Sequence, residues 1–379
     1  LRVTDSYGPI PYSKMQNGTF SVPYDSQRDV YMAMIDDLDA AMETLYTFAS
    51  AGDGILMRDF DISSFKGDSR LWVSFANTLK LRMAIRMSGV EPEARRIAEE
   101  AVRDMATYGL IDANAENLSF SSDSRQNPFY TQATSTSWQD LRSNASIVMY
   151  MNAYEDPRRA SYFSKSGYDG IYVGVRAGIQ NVTPTDYATY SYPLFAEKDP
   201  VPVMYASESW FLRAEGALLG WTMGDTAENL YNTGVKTSLE LWGNGSSYET
   251  YIASETAPAL SYADPRNKHN VSDFGTAVSV KWADDGNELV RIITQKWIAN
   301  HMIGHEAWAD VRRTGYPRLL QVVNNLSGGM WGNVDSSKGM RRLHYPQSEY
   351  DNNRENVLKG VELLGGSDLH GTDVWWAKK

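Results

Sequence analysis

The segment from Ile293 to Pro317 constrains the fold most strongly, because its apolar residues recur with helical spacing. A first set follows three- and four-residue steps and so shares one face of a helix: Ile293, Trp297, Ile298 and Met302. A second set follows Gly304: Ala307, Trp308 and Val311. Gly315 and Pro317 then predict a helix end, because glycine accepts the left-handed cap conformation and proline cannot continue the hydrogen-bond ladder.

Charge and cysteine content exclude several classes of function. The 379 residues carry a formal charge of −11 and contain no cysteine. The negative charge argues against binding to nucleic acid or to anionic lipid, both of which require basic surfaces. The lack of cysteine excludes disulfides, thiolate catalysis and cysteine-ligated metals. The chain starts at Leu1 in a sequence typical of the middle of a protein, so we expect a preceding N-terminal part that carries an export signal or a lipid-bearing cysteine.

Two pairs of helices are predicted far apart in the sequence. Residues 1–26 are predicted to be loop-like, and a helix is predicted from about Ser26. The next helix, Ser69 to about Ser88, and its partner have the large and small residues of a tetratricopeptide repeat: Trp72, Phe75, Ala76 and Leu79, then Ala94, Ala98 and Ala101. The pattern recurs later: Trp210, Ala214 and Ala217, then Ala227, Tyr231 and Gly234. Ordinary helical hairpins would explain the same spacing.

These patterns predict a mainly α fold in one domain, residues 1–379. A tetratricopeptide-like scaffold of helical pairs is expected at about 26–110, 205–242 and 288–320. A large loop-rich insertion half is expected at about 112–204, 243–287 and 328–379. Long loops in compact domains are usually functional or disordered, and the aromatic content of these argues against disorder.

The composition of the loops favours sugar binding. Sugar rings offer apolar faces and a rim of hydroxyls, so a site needs flat aromatic side chains beside hydrogen-bonding groups. The candidate ligand-binding residues are Phe129, Tyr130, Trp138, Tyr168, Tyr172, Tyr187, Tyr190 and Trp331, with Asn127 and Asp169 as hydrogen-bonding partners. For each ring the alternative is that it anchors its loop to the core.

Candidate catalytic and metal-binding groups are sparse. His301 and His305 would share one face of a helix, but the metalloprotease order of histidine and glutamate is not met. Glu306 and Asp310 could form a carboxylate pair for glycoside hydrolysis, but charge compensation by Arg312 and Arg313 within the helix is simpler.

One acidic segment carries side-chain oxygens of the kind that bind calcium: Asp284, Asp285, Asn287 and Glu288. A solvated turn is the simpler interpretation of this segment. We therefore predict no catalytic residue, no metal and no cofactor.

Several motifs together resemble the SusD/RagB family of surface lipoproteins. They include Gly67 and Asp68 before the Trp72 helix, Glu208 with Arg213 in the later helix, and a closing segment with a tryptophan-containing tail. The most specific are Gln295, Lys296, Trp297, Glu306, Ala307 and Trp308; the closing segment comprises Arg342, Leu343, His344, Tyr345 and Pro346, with Trp375 and Trp376 in the tail. These positions look architectural, so we transfer no binding role to them.

The resemblance implies a right-handed α-α superhelix with a loop-rich half that holds the ligand. It implies a non-catalytic protein on the outer face of the outer membrane, attached only through an N-terminal lipid anchor. Its expected ligand is an oligosaccharide, and its expected partner is a TonB-dependent SusC-like transporter. The alternatives are a peptide-binding member of the family, a glycoside hydrolase, or a tetratricopeptide adaptor that binds proteins.

Overall fold

The computed structural model describes residues 1–379 except 16, 17, 19, 20, 53, 57, 123–125, 134–140 and 379. Helices dominate the described part of the chain and confirm the predicted mainly α fold. The N-terminal half contains α1 Arg2–Tyr7, α2 Gln27–Ala51, α3 Ser69–Arg86, α4 Ala94–Arg103, α5 Met105–Tyr108, α6 Pro128–Ala133, α7 Ala145–Ala153 and α8 Arg159–Tyr162. The C-terminal half contains α9 Ala206–Leu218, α10 Ala227–Leu241, α11 Tyr248–Ile252, α12 Glu288–Ala299, α13 Gly304–Thr314, α14 Gln347–Asn352 and α15 Arg354–Leu364.

Four short strands form two separate antiparallel pairs in the described residues. β1 Leu118–Phe120 pairs with β2 Val201–Met204, with Leu118 opposite Met204. β3 Ala259–Tyr262 pairs with β4 Val271–Thr276, with Ala259 opposite Thr276. Within the described ranges, no helix combines the length and apolar content that crossing a bilayer requires.

The predicted helix pairs are formed and share one core. α3 packs against α4, α9 packs against α10, and α9 also contacts α3 and α12. The Asn77 side-chain amide donates to the Ala101 carbonyl at 2.9 Å and so joins α3 to α4. A Cβ atom at Gly234 would lie 3.0 Å from the ring of Phe211. The small residue is therefore what allows α10 to approach α9 so closely.

Three consecutive residues of α12 connect it to four other segments of the chain. Gln295 accepts a hydrogen bond from Arg158 at 2.9 Å and donates to the Tyr251 hydroxyl at 3.0 Å. Lys296 forms a 2.9 Å ion pair with Asp310 on α13. Trp297 packs edge-on against Tyr150 of α7, with ring centroids 5.5 Å apart. α12 ends before His301. α13 starts at Gly304, and Gly315 caps its C-terminal end in the predicted left-handed conformation.

The prediction that residues 1–26 are loop-like is wrong at their start, because α1 supplies a buried carboxylate to the core. Asp5 is fully buried; it forms a 2.5 Å ion pair with Arg86 and accepts a 2.9 Å hydrogen bond from the Trp376 indole. Arg86 also pairs with Glu306, and Arg82 lies 3.6 Å from the same carboxylate. This buried network joins α1, α3 and α13, which explains why so polar a segment folds as a helix.

The C-terminal region is less irregular than predicted, because it contains α14 and α15. The side chains of Val357 and Leu364 anchor α15 in the core. In the closing motif, Tyr345 donates to the Pro9 carbonyl at 2.7 Å and Arg342 donates to the Tyr7 carbonyl at 2.8 Å. The motif therefore fixes the C-terminal segment against the N-terminal one.

The buried carboxylates make the stability depend on acid pH. Burial alone would raise the pKa of Glu306 and of Asp310, but neighbouring arginine and lysine charges outweigh burial and hold both below their usual range. A carboxylate whose pKa is lowered by folding stabilises the protein above its unfolded pKa, and this stabilisation is lost as pH falls towards the folded pKa. We therefore expect the free energy of unfolding to drop below about pH 5.

Urea titrations followed by circular dichroism at several pH values between neutral and acid measure this effect. Below pH ~5, the free energy of unfolding of Glu306→Gln should fall less steeply with pH than that of the wild type, by up to about 1.4 kcal/mol per pH unit. The reason is that the variant lacks one group whose protonation is linked to unfolding. Equal slopes in the two proteins would contradict the assignment.

Candidate functional site

A large open cleft lies where α12 and α13 meet the segments that follow them. Its volume is about 1490 Å³. One side is formed by the end of α12 and by α13, and another by residues 317–322 and 336–341. Residues of α6, α7 and β4 and the segment 176–177 also line it, as do Asp373 and Ala377 near the C-terminus. The cleft therefore lies between the helical scaffold and the loop-rich part of the chain.

Four half-buried aromatic side chains line this cleft: Phe129, Phe274, Trp297 and Trp308. Trp308 is the most firmly fixed of them. Its indole donates to the Met340 carbonyl at 2.8 Å, and the Arg312 guanidinium covers one face at 3.5 Å from the ring centroid. A ligand can therefore stack only on the opposite face. A ring held in this way loses little conformational entropy when a ligand binds.

Polar groups without partners lie beside these rings. Asn300 is 3% exposed, and neither its amide nitrogen nor its amide oxygen has a hydrogen-bond partner within the described residues. The Nε2 atom of His301 is likewise unpartnered there. Burial lowers the pKa of His301 to about 3, so its ring is neutral near pH 7. Both residues line the cleft. Unpaired buried amides are costly, so a buried water molecule is the expected partner.

Of the predicted ligand-binding residues that the structure describes, only Phe129 lines the cleft. Its ring stacks on Phe195 with centroids 5.4 Å apart. Asn127 has a structural task beside it: its side-chain oxygen accepts from the Phe129 and Tyr130 amides, and its nitrogen donates to the Asp199 carbonyl. Asn127 thus caps α6 and positions Phe129. Tyr130 is half-buried on the same helix.

The structure places Tyr187 and Tyr190 in the core, which corrects the expectation that they face a ligand. They are 6% and 1% exposed, and Tyr168 packs edge-on against Tyr190 with centroids 5.5 Å apart. The Tyr190 hydroxyl donates to Asp264. These rings pack against one another and hold the insertion together, as aromatic residues in loops commonly do.

The remaining predicted residues lie apart from the cleft. Tyr172 is half-buried under the Arg159 guanidinium, 5.6 Å from its ring centroid, and Asp169 is exposed in a turn. Trp331 stacks on His344 with centroids 3.4 Å apart, so its glycine neighbours do not leave it free. Trp138 lies outside the described residues.

The carboxylates proposed as a catalytic alternative are buried in ion pairs. Glu306 pairs with Arg82 and Arg86 of α3, and this corrects the expectation that arginines of its own helix compensate it. Asp310 pairs with Lys296 and with Arg313 at 3.1 Å. Such pairs, inaccessible to substrate, serve folding.

The histidines and the acidic segment also have separate tasks. His301, in the turn after α12, stacks on Tyr162. His305, in α13, contacts the Ser6 hydroxyl at 3.0 Å. Asp285 accepts from Arg291 and from the Asn287 amide, both at 2.9 Å. Within the described part of the chain, no group of three or more acidic or histidine side chains could hold a metal.

Sequence reasoning missed Trp297 and Trp308 as cleft residues, because both belong to motifs that we interpreted as architectural. They are architectural as well: Trp297 packs on Tyr150 and Trp308 binds the Met340 carbonyl. Their helical spacing gave the position of each ring on its helix. It did not show that the next segment of chain leaves space in front of them.

Gly174 shapes the wall of the cleft. A Cβ atom there would lie 2.6 Å from the backbone of Asn144, which lines the cleft and caps α7. Gly174→Ala is therefore expected to lower the free energy of unfolding by about 1–3 kcal/mol, because backbone must move. Urea denaturation measures this. Gly89→Ala is the matched control, since nothing lies within 4 Å of its Cβ position. If Gly174→Ala had the same free energy of unfolding as the wild type, the close approach of Gly174 to the Asn144 backbone would be contradicted.

Comparison with known proteins gives the family. The family described as "SusD-like: Susd and RagB outer membrane lipoprotein" matches residues 1–377. The chain belongs to the SusD/RagB family. Its fold and its motifs therefore agree with the resemblance seen in the sequence. No match was found among the curated proteins.

Solved structures of SusD homologues superimpose over the full chain. A chitin-binding SusD homologue from Flavobacterium johnsoniae shares 40% identity with a TM-score of 0.92; the match covers 100% of this chain and 78% of that one. A SusD homologue from Bacteroides uniformis shares 42% identity with a TM-score of 0.91 and the same coverage. A SusD-like protein from Bacteroides thetaiotaomicron shares 41% identity with a TM-score of 0.88, covering 99% of this chain and 78% of that one.

Proposed function

We propose that this protein binds oligosaccharides at the cell surface without modifying them and delivers them to a TonB-dependent SusC-like transporter. Family membership supports the location at the outer membrane and the transport partner. A chitin-binding relative at 40% identity supports a glycan ligand. Attachment through an N-terminal lipid anchor, on the extracellular face, is part of the same proposal.

The observation that carries the proposal is the composition of the cleft. Trp297, Trp308 and Phe274 supply flat apolar surfaces, and the exposed polar residues Gln321 and Ser337 line the same cleft. Aromatic surface with a few fixed hydrogen-bonding groups is what a sugar ring requires. A cleft of about 1490 Å³ is large enough for several sugar units.

A binding role also fits the distribution of carboxylates. Hydrolysis of a glycosidic bond generally uses two carboxyl groups that flank the bond. Among the described residues that line the cleft, Asp373 is the single carboxylate, and it forms a 2.5 Å ion pair with Arg341. This arrangement supports capture of the sugar without cleavage.

The test is calorimetric titration of the protein with a panel of neutral and acidic oligosaccharides and of peptides, followed by chromatography of the sugars. We expect at least one oligosaccharide to bind with a dissociation constant on the order of micromolar to millimolar and to be recovered intact. Release of shorter sugars would establish hydrolysis instead. Binding of peptides alone would favour the peptide-binding alternative.

A further inference from the structure

The charge of the cleft is opposite to the charge of the whole chain. The protein carries a formal charge of −11. The described cleft lining nevertheless contains one acidic residue, Asp373, and five basic residues: Arg176, Arg312, Arg318, Lys338 and Arg341. A concave site lined by one sign of charge concentrates ligands of the other sign, because its low-dielectric walls focus the field.

Most of this positive charge has no carboxylate to neutralise it. Arg341 pairs with Asp373, and Lys338 shares a turn with Asp335, so their charges are offset at least in part. The other three arginines form no ion pair with any described carboxylate. Elsewhere in the described chain, buried arginines such as Arg82 and Arg158 pair with carboxylates, whereas buried Arg213 donates to the Met223 carbonyl. At the cleft, three arginines without a carboxylate partner line one concave surface.

The unpaired arginines are held by carbonyl oxygens and by rings. Arg176 donates to the His269 carbonyl at 3.1 Å and to the Gln321 carbonyl at 2.8 Å, and its Nε atom has no partner within the described chain. Carbonyl oxygens orient a guanidinium group but leave its full charge in place. The arginine is thus positioned before any ligand arrives.

Arg318 and Arg312 are held beside aromatic rings. Arg318 is exposed and lies over Phe274, 5.1 Å from the ring centroid. Arg312 lies between Trp308 and Trp376, and donates to the Asp5 and Arg341 carbonyls at 2.6 and 3.0 Å. A stacking surface and a positive charge are therefore adjacent at Phe274 and again at Trp308.

We propose that the cleft selects acidic oligosaccharides, in which uronate carboxylates pair with Arg176 and Arg318 while the sugar rings stack on the neighbouring aromatic side chains. This inference rests on the proposed function and adds the class of sugar to it. A planar guanidinium matches a carboxylate with two parallel hydrogen bonds, so uronates suit these arginines better than neutral sugars. Sulfated sugars share the anionic chemistry and form a separate arm of the test.

The experiment compares sugars that differ in charge. The protein is titrated calorimetrically with hexagalacturonate and a glucuronate–N-acetylglucosamine hexasaccharide, with the carboxyl-reduced form of each, and with a sulfated galactan hexasaccharide that contains no uronate. We expect a uronate sugar to bind at least about tenfold more tightly than its reduced form. Its binding should weaken between about 50 and about 500 mM NaCl, because salt screens exposed charges. Preferential binding of the sulfated sugar would overturn the assignment to uronates.

Variants locate the effect. Arg318→Gln and Arg176→Gln should each weaken uronate binding about fivefold or more, and by a larger factor than they weaken binding of the reduced sugar. Arg95→Gln is the matched control, since this arginine is 57% exposed on α4, away from the cleft. Equal affinity for charged and reduced sugars, or equal weakening of both by the variants, would overturn the inference and leave the proposed function standing. Failure of these sugars to bind, while other oligosaccharides of the panel do bind, would overturn the inference alone; failure of the whole panel would overturn the proposed function itself.

Discussion

Replacement of Glu306 by alanine is expected to lower the free energy of unfolding by about 3–5 kcal/mol. Glu306 is 2% exposed and pairs with Arg82 and Arg86. Its removal would leave Arg86 with Asp5 alone and Arg82 with Glu208 alone, so each guanidinium would lose one of its two buried carboxylate partners. Buried charges that lose part of their pairing are costly, because they have already given up their hydration.

Urea denaturation followed by circular dichroism at neutral pH measures this loss. Glu93→Ala is the matched control, because Glu93 and its partner Arg96 are both about half exposed on the surface of the protein. Pairs of that kind contribute about 0–1 kcal/mol. If both variants lost the same free energy of unfolding relative to the wild type, the buried network would not stabilise the fold as its geometry indicates.

Replacement of Trp308 by alanine is expected to weaken oligosaccharide binding at least about tenfold, or about 1.4 kcal/mol. The indole is the best-fixed ring in the cleft, because the Met340 carbonyl and the Arg312 guanidinium hold it from two sides. Its removal would take away both the stacking surface and the cover of Arg312. Trp308→Phe keeps a ring at the same place and should retain most of the affinity, within about threefold.

Calorimetry with the best ligand of the panel measures these affinities, and thermal unfolding monitors the fold. Trp282→Ala is the matched control: it removes an equal indole that packs on Tyr231, with centroids 5.5 Å apart, and does not line the cleft. Sugar affinity should be unchanged in this variant. If Trp308→Ala bound sugar as tightly as the wild type, the cleft would not be the ligand site.

The helices could be predicted from the sequence because their signals are local. Ser26 caps α2, Gly315 ends α13, and the small residues of α9 and α10 recur at helical spacing. Each signal depends on residues within about one or two helical turns, where the period of the helix fixes which side chains share a face. The motifs of the closing segment likewise identified the family and the attachment of the C-terminal tail.

Burial of the tyrosines depended on the tertiary structure. Tyr190 and Phe129 lie in segments of similar composition, yet one is in the core and the other lines the cleft. Composition does not contain this difference, because burial depends on which distant segment covers the ring. Similarly, the partners of Glu306 lie about 220 residues away on α3, out of reach of any rule about neighbouring residues.

What the sequence by itself determined is therefore the helical scaffold, its family and the kind of chemistry to expect. Only the tertiary structure decided which residues form the site, because the cleft joins Phe129, Phe274 and Trp308 from three distant segments. It also decided the charge of the site, since a chain of net charge −11 gathers unpaired arginines at one surface only when it folds. Helical periodicity acts over a few residues, whereas a binding surface is formed by contacts between segments far apart in the chain.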